Sequence, residues 1–177
     1  MGLMKEAGCE NVRFGIESGS QKILDALHKG VRVERALDAL RICLDAGLSL
    51  TLYIMVGMTG ESEETVEETV QFFKRLVTPL NVYHFRKIHV FMLTPYPGTR
   101  LYDGLLAKGL LSPSHESLRQ ECDGYDDIPV NVSGRTDQEL RSLKKDLERG
   151  INRILESETN RLHNLLLKIK RGSSRTH

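Results

Sequence analysis

Three short stretches hold the residues that could handle a ligand: Glu17-Ser18, Gly57 to Glu61, and Thr94 to Thr99. The Glu17 carboxylate can accept hydrogen bonds from ribose hydroxyls, as acidic residues do at other nucleotide sites. Gly57 and Gly60 carry no side chains, so a flat base or a sulfonium-bearing chain has room to lie against bare backbone there. Thr94 and the carbonyls near it can hydrogen-bond a base edge. Each group also has an ordinary structural reading. Glu61 stands where a helix start favours negative charge, Glu17 can pair with Arg13, and the glycines can serve a plain turn. His84 and His89 lie within a strand-like segment and read as hydrogen-bonded structural residues, because no carboxylate or cysteine spacing supports a metal. Cys9 and Cys43 read as small core residues.

Each of the three stretches follows a segment that reads as a strand. Leu50 to Val56 is an apolar run broken only by Thr51, the pattern of a strand buried on both faces in a parallel sheet. After the Gly57-Met58-Thr59-Gly60 break comes an acid-rich helix start (Glu61, Glu63, Glu64, Glu67 and Glu68), with Lys74-Arg75 near the end. Val66, Val70, Phe73 and Val77 form its expected inner face. Upstream, Asn11 to Ile16 is a short strand, and Ser20 is placed to cap a helix bearing Ile23, Leu24 and Leu27. Val33 to Ala46 is an amphipathic helix stopped by Gly47. Downstream, Val82 to Leu93 is a third strand. The two prolines of Thr94-Pro95-Tyr96-Pro97-Gly98-Thr99 stiffen the turn into a short helix, Arg100 to Lys108. The alternation implies an α/β fold of parallel strands with right-handed crossovers, and it brings the three loops to one rim. Such a rim makes a ligand cleft.

Beyond Leu111 the sequence turns polar, and residues 112–135 read as a connecting segment. Thr136-Asp137-Gln138-Glu139 is a capping box that opens a long helix. Its stripe of Leu140, Leu143, Leu147, Ile151 and Ile154 is expected to shift after Gly150. Residues 136–177 thus form a C-terminal helix and a basic tail. With 177 residues and a net charge of +1, the chain argues against wholesale attraction to nucleic acid or membrane. Its cysteines (Cys9, Cys43 and Cys122) suggest neither a disulfide framework nor a zinc site. The first residues lack the apolar core of a signal peptide and no run is long enough to span a bilayer, so a cytoplasmic setting is expected.

The strings AGCENVRFGIESGSQKILDALHKG, YIMVGMTGESEETVEET and FMLTPYPGTRLYDGLLAKGLL resemble the C-terminal half of the radical S-adenosylmethionine (SAM) domain. The likeness is strongest to members with an upstream cobalamin-binding domain, such as the anaerobic magnesium-protoporphyrin ester cyclase group. The resemblance implies that residues 1–111 are half of a (β/α)6 partial TIM-like barrel. It also implies a [4Fe-4S] cluster in the parent, which reduces SAM to give a 5′-deoxyadenosyl radical. By position, Glu17 and Ser18 match the ribose-contacting motif, Val56, Gly57 and Glu61 the adenine-flanking motif, and Leu93 and Thr94 the strand edge near adenine. Thr59 stands where that family usually has proline, so a looser turn is expected.

The CxxxCxxC cluster motif is absent, so the chain looks like a truncated product with no catalytic or metal-ligating residues of its own. Inactivity alone, a small-molecule substrate for the parent and self-association through an open sheet edge are the corresponding expectations. The parent reads as an oxidoreductase or a methyltransferase, with cobalamin as a further cofactor. A tRNA methylthiotransferase is disfavoured, because those enzymes follow the barrel with a small RNA-binding β-barrel and this tail is helical. The competing reading is a non-catalytic α/β nucleotide-binding or scaffold module whose C-terminal helix binds a partner.

Overall fold

The computed structural model describes residues 1–111, 128 and 130–173. In chain order they form α1 (Gly2–Glu6), β1 (Asn11–Glu17), α2 (Gln21–Ala26), α3 (Val33–Asp45) and β2 (Ser49–Val56). Then come α4 (Glu63–Leu76), a single 3-10 turn (Val82–His84), β3 (Phe85–Met92), α5 (Arg100–Ala107) and α6 (Asp137–Ser173). The three strands are parallel and stand side by side in the order β1-β2-β3. The α/β reading therefore holds, with helical connections between parallel strands. The third strand begins later than its composition suggests, because Val82–His84 turns before the chain extends.

The sheet is not covered evenly. Leu50, Leu52, Ile54 and Val56 of β2 point to one face and are 1% exposed or less. They share a core with Leu37, Leu40 and Cys43 of α3, Phe72, Phe73 and Leu76 of α4, and Leu140, Leu143, Leu147 and Ile151 of α6. The other face carries Thr51, Tyr53 and Met55, and of these Tyr53 and Met55 are only half-buried. The apolar run of β2 thus corrects the expectation of equal burial: among the described residues, α3, α4 and α6 join the core through one side of the sheet.

The long helix starts as its sequence implies. Thr136 Oγ1 accepts from Glu139 N, and Glu139 Oε2 accepts from Thr136 N at 2.7 Å. The helix runs through Gly150 without a break. The reason for glycine there is contact: a Cβ on Gly150 would sit 2.6 Å from Val70 Cγ2 on α4. Phe72, not anticipated, is buried beside Phe73, their rings meeting edge to face at 5.6 Å. Val70 is instead half-buried beneath α6.

Gly150→Ala is expected to destabilise the chain by about 1–2 kcal/mol, because overpacking exceeds the helix-propensity gain of roughly 1 kcal/mol. In a Val70→Ala background the same change should become neutral or stabilising. Denaturant melts of the four proteins in that cycle check this, and equal costs in both backgrounds would refute the contact.

Candidate functional site

The three loops after β1, β2 and β3 leave the sheet at its carboxyl edge, the side on which parallel α/β sheets carry ligands. At the end of β1 the register slips between Gly15 and Glu17, and Glu17 takes a φ of +67°. A non-glycine residue in that region is strained by about 1–3 kcal/mol, and such residues and bulges gather where a side chain is re-aimed. Glu17 folds back over its own strand: a Cβ on Gly15 would sit 2.5 Å from Glu17 Oε1. The absent side chain of Gly15 is therefore the space the carboxylate uses. Its ion-pair partner is Lys29 at 2.6 Å, not Arg13. Lys29 follows α2 by a turn with His28 at φ +51°, and nothing in the sequence pattern marks it.

Ser18 is buried, with Oγ 3.1 Å from Thr69 Oγ1 and accepting from Ser20 N at 3.1 Å. Gly19 N also donates to Thr69 Oγ1, at 3.0 Å. Ser18 thus pins the loop to α4. Ser20 occupies the N-cap position of α2, but its hydroxyl makes no cap bond and is buried without a partner in the described structure.

The loop after β2 is closed from within. Glu61 is buried at 6% exposure, and its carboxylate accepts from Gly57 N at 3.3 Å and from Thr65 Oγ1 at 2.8 Å. Burial pushes the Glu61 carboxyl above its ordinary value, against the lowering effect of the Thr65 and Gly57 hydrogen bonds and the Lys22 charge. Gly57 needs its φ of +112°, but the space beside it is occupied: a Cβ would contact Leu93 Cβ at 3.5 Å and Leu140 Cδ1 at 3.9 Å. Val56 lies in the helix-side core. Its backbone oxygen accepts from Leu93 N at 2.8 Å. Thr59, instead of loosening the turn, donates through its hydroxyl to Val132 O at 3.0 Å. Arg135 binds Glu61 O at 3.0 Å and grips the Glu63 carboxylate with both terminal nitrogens.

After β3, Leu93 is buried with Ile23 and Met58. Thr94 Oγ1 turns back to Met92 O at 3.4 Å, and Tyr96 is 61% exposed. The structure therefore gathers Glu17, Ser18, Val56, Gly57, Glu61, Leu93 and Thr94 along one rim. Of their side chains, Ser18 and Glu61 are engaged in holding loops, Val56 and Leu93 are packed, and Glu17 is turned over the sheet.

The fit to the implied cofactors differs. The ribose end of SAM fits Glu17: Oε1 is held by Lys29, and Oε2 has no partner among the described residues. An iron–sulfur cluster does not fit the described residues. Cys43 is sealed in the core, half-buried Cys9 turns its thiol toward Asn11 O at 3.7 Å, and Cys122 lies outside them. No group of metal-ligating side chains occurs among the described residues, nor is any helix there long and apolar enough to cross a membrane.

Three parallel strands stand side by side with the loops that follow them on one rim. Residues 1–73 match the radical SAM superfamily. An uncharacterized methyltransferase of Pyrococcus horikoshii is 38% identical over 108 residues, 61% of this chain and 22% of that protein. The bacteriochlorophyllide d C-8(2)-methyltransferase of Chlorobaculum tepidum is 32% identical over 114 residues, 60% of this chain and 23% of that protein. The tRNA-2-methylthio-N(6)-dimethylallyladenosine synthase of Carboxydothermus hydrogenoformans is 26% identical over 171 residues, 95% of this chain and 31% of that protein. The chain thus spans less than a third of the length of each of these relatives.

Proposed function

We propose that this chain forms the ribose-and-adenine wall of the SAM site of a radical SAM enzyme. The observation that supports it most is the strained Glu17, whose carboxylate is laid over Gly15 at the carboxyl edge of β1. In this reading Glu17 holds the ribose diol, and Lys29 steers the carboxylate. Backbone around Gly57, Leu93 and Thr94 borders the adenine, while Ser18 and Glu61 keep the two loops in shape. SAM, reduced by a [4Fe-4S] cluster bound elsewhere in the parent, supplies the radical chemistry.

The parent is read as a cytoplasmic methyltransferase or an oxidoreductase acting on a small molecule, with cobalamin as an additional cofactor. The bacteriochlorophyllide methyltransferase among the relatives supports the methyl-transfer branch. The chain by itself is expected to be inactive, and the edges of β1 and β3, unpaired among the described residues, are where it would associate with more strand.

S-adenosylhomocysteine, a stable stand-in with the same adenosyl group, provides the test. Titrated into the 177-residue chain, it should shift the amide resonances of Gly15 to Ser18 and of Thr94. Glu17→Ala should weaken binding by about tenfold, the loss expected for charge-assisted hydrogen bonds of about 1.5 kcal/mol. Gly15→Ala should weaken it too, because the new methyl displaces the carboxylate without removing it. Unchanged affinity in both variants would overturn the assignment.

A further inference from the structure

The two loops that border the proposed adenine position are joined at their base and again farther out. At the base, Leu93 N donates to Val56 O at 2.8 Å. Farther out, the join runs through residues 130–135, which lead into α6. On the β2 side, Thr59 Oγ1 donates to Val132 O at 3.0 Å, and Arg135 Nε donates to Glu61 O at 3.0 Å. The terminal nitrogens of Arg135 reach the Glu63 carboxylate at 2.9 and 2.6 Å, and this contact holds Glu63 below its ordinary pKa. On the β3 side, half-buried Val132 packs against the cluster of Ile23, Met58 and Leu93 and against that of Tyr102 and Leu105 on α5. The segment is stiff in itself. Asn131 Oδ1 accepts from Ser133 N at 3.1 Å and from Ser133 Oγ at 2.7 Å, while Asn131 Nδ2 donates to Arg135 O at 2.7 Å.

We infer that residues 130–135 are a positioning strap for base recognition in the same site: Val132 and Arg135 set the separation of the β2 loop and the β3 edge, and with it the preference for adenine. The inference rests on the proposed SAM site, since only an adenosyl group lying between those loops would feel their spacing. The β2 loop cannot supply this constraint alone. Gly57 and Gly60 both take positive φ, and the bonds of Glu61 to Gly57 and Thr65 close the loop upon itself. Those bonds shape the loop without fixing its distance from Leu93 and Thr94. A site that hydrogen-bonds a base edge rejects a base with the wrong groups, because its own polar groups are then left unpaired. Such discrimination needs donors and acceptors held at about 2.9–3.0 Å, so it fades when one wall drifts from the other. Val132 and Arg135 touch no ligand in this reading and act through the loops.

S-adenosylhomocysteine and S-inosylhomocysteine, titrated calorimetrically into the 177-residue chain, provide the test. The inosyl compound carries a carbonyl where adenine has its amino group, so it inverts the hydrogen bonding of that edge. The unmodified chain should bind the adenosyl compound at least about tenfold more tightly. Arg135→Gln and Val132→Ala should each weaken the adenosyl compound by about three- to tenfold and shrink that preference. Arg135→Lys, which keeps the charge and a donor, should regain part of both. Each titration is run where circular dichroism shows the variant folded. If Arg135→Gln does not fold, Glu63→Gln decides, because it loosens the grip of Arg135 through an exposed side chain.

A strap that served stability alone would lower the melting temperature and leave the affinity and base preference of the folded chain unchanged, and that result would overturn the inference. Equal binding of the two compounds by the unmodified chain would overturn it as well. In either case, binding that still depends on Glu17 leaves the proposed function standing. Binding indifferent to Glu17→Ala and Gly15→Ala, or no binding at all, would instead remove the site and the strap together.

Discussion

Gly19→Ala should destabilise the chain by about 3 kcal/mol, the upper range of what overpacking costs. A Cβ there would sit 2.6 Å from Phe72 Cβ and 2.7 Å from Thr69 Cα. The second contact is with helix backbone, which cannot swing aside as a side-chain tip can. Phe72 is itself 1% exposed and wedged in the core, so the loop must lift instead. Lifting it would break the bonds from Ser18 and Gly19 to Thr69. Denaturant unfolding of the variant against the parent chain measures the loss. A cost below 1 kcal/mol would mean that the β1 loop and α4 do not meet as described. The contrast with Gly15 is informative: there the obstacle is a flexible carboxylate, so the same substitution should hardly change stability while moving Glu17.

Glu61→Ala should destabilise by about 1–3 kcal/mol, chiefly because Gly57 N would be left buried without an acceptor. Thr65 loses less, since its hydroxyl also reaches Ser62 O at 2.9 Å. The pH dependence tests the cause. Burial raises the pKa of the Glu61 carboxyl in the folded chain above its ordinary value of 4.5. The folded state therefore holds this proton more tightly than the unfolded state does. That contribution to stability is complete below pH 4.5 and is lost as pH rises through the raised folded value. The advantage of the parent chain over Glu61→Ala should be largest at the acid end and shrink toward neutrality. An advantage that grew with pH would show that a charged carboxylate, favoured by its hydrogen bonds, governs the loop instead.

Much of the architecture was legible because it is local. The apolar run of β2, the acidic start of α4 and the Thr136-to-Glu139 box each announce an element through residues near one another in sequence, and each element is present. The three loops share a rim because alternating strands and helices leave few other arrangements. What stayed hidden depends on contacts distant in sequence. Lys29 meets Glu17 only because β1 bulges, and Glu17 reaches over the sheet only because position 15 lacks a side chain. The roles of Ser18 and Glu61 as loop fasteners depend on Thr69 and Gly57, and short polar residues at a rim look alike whether they bind ligand or backbone.

The clasp on the β2 loop has an evolutionary consequence. Gly57 to Glu61 is shaped by its own sequence and also by Val132, Arg135 and Leu140, which arrive more than seventy residues later. The two regions must therefore be inherited as a matched pair. A chimaera that joined residues before Pro79 from one relative to the final helix of another would leave that loop mis-shaped, however well each half suited its original partner.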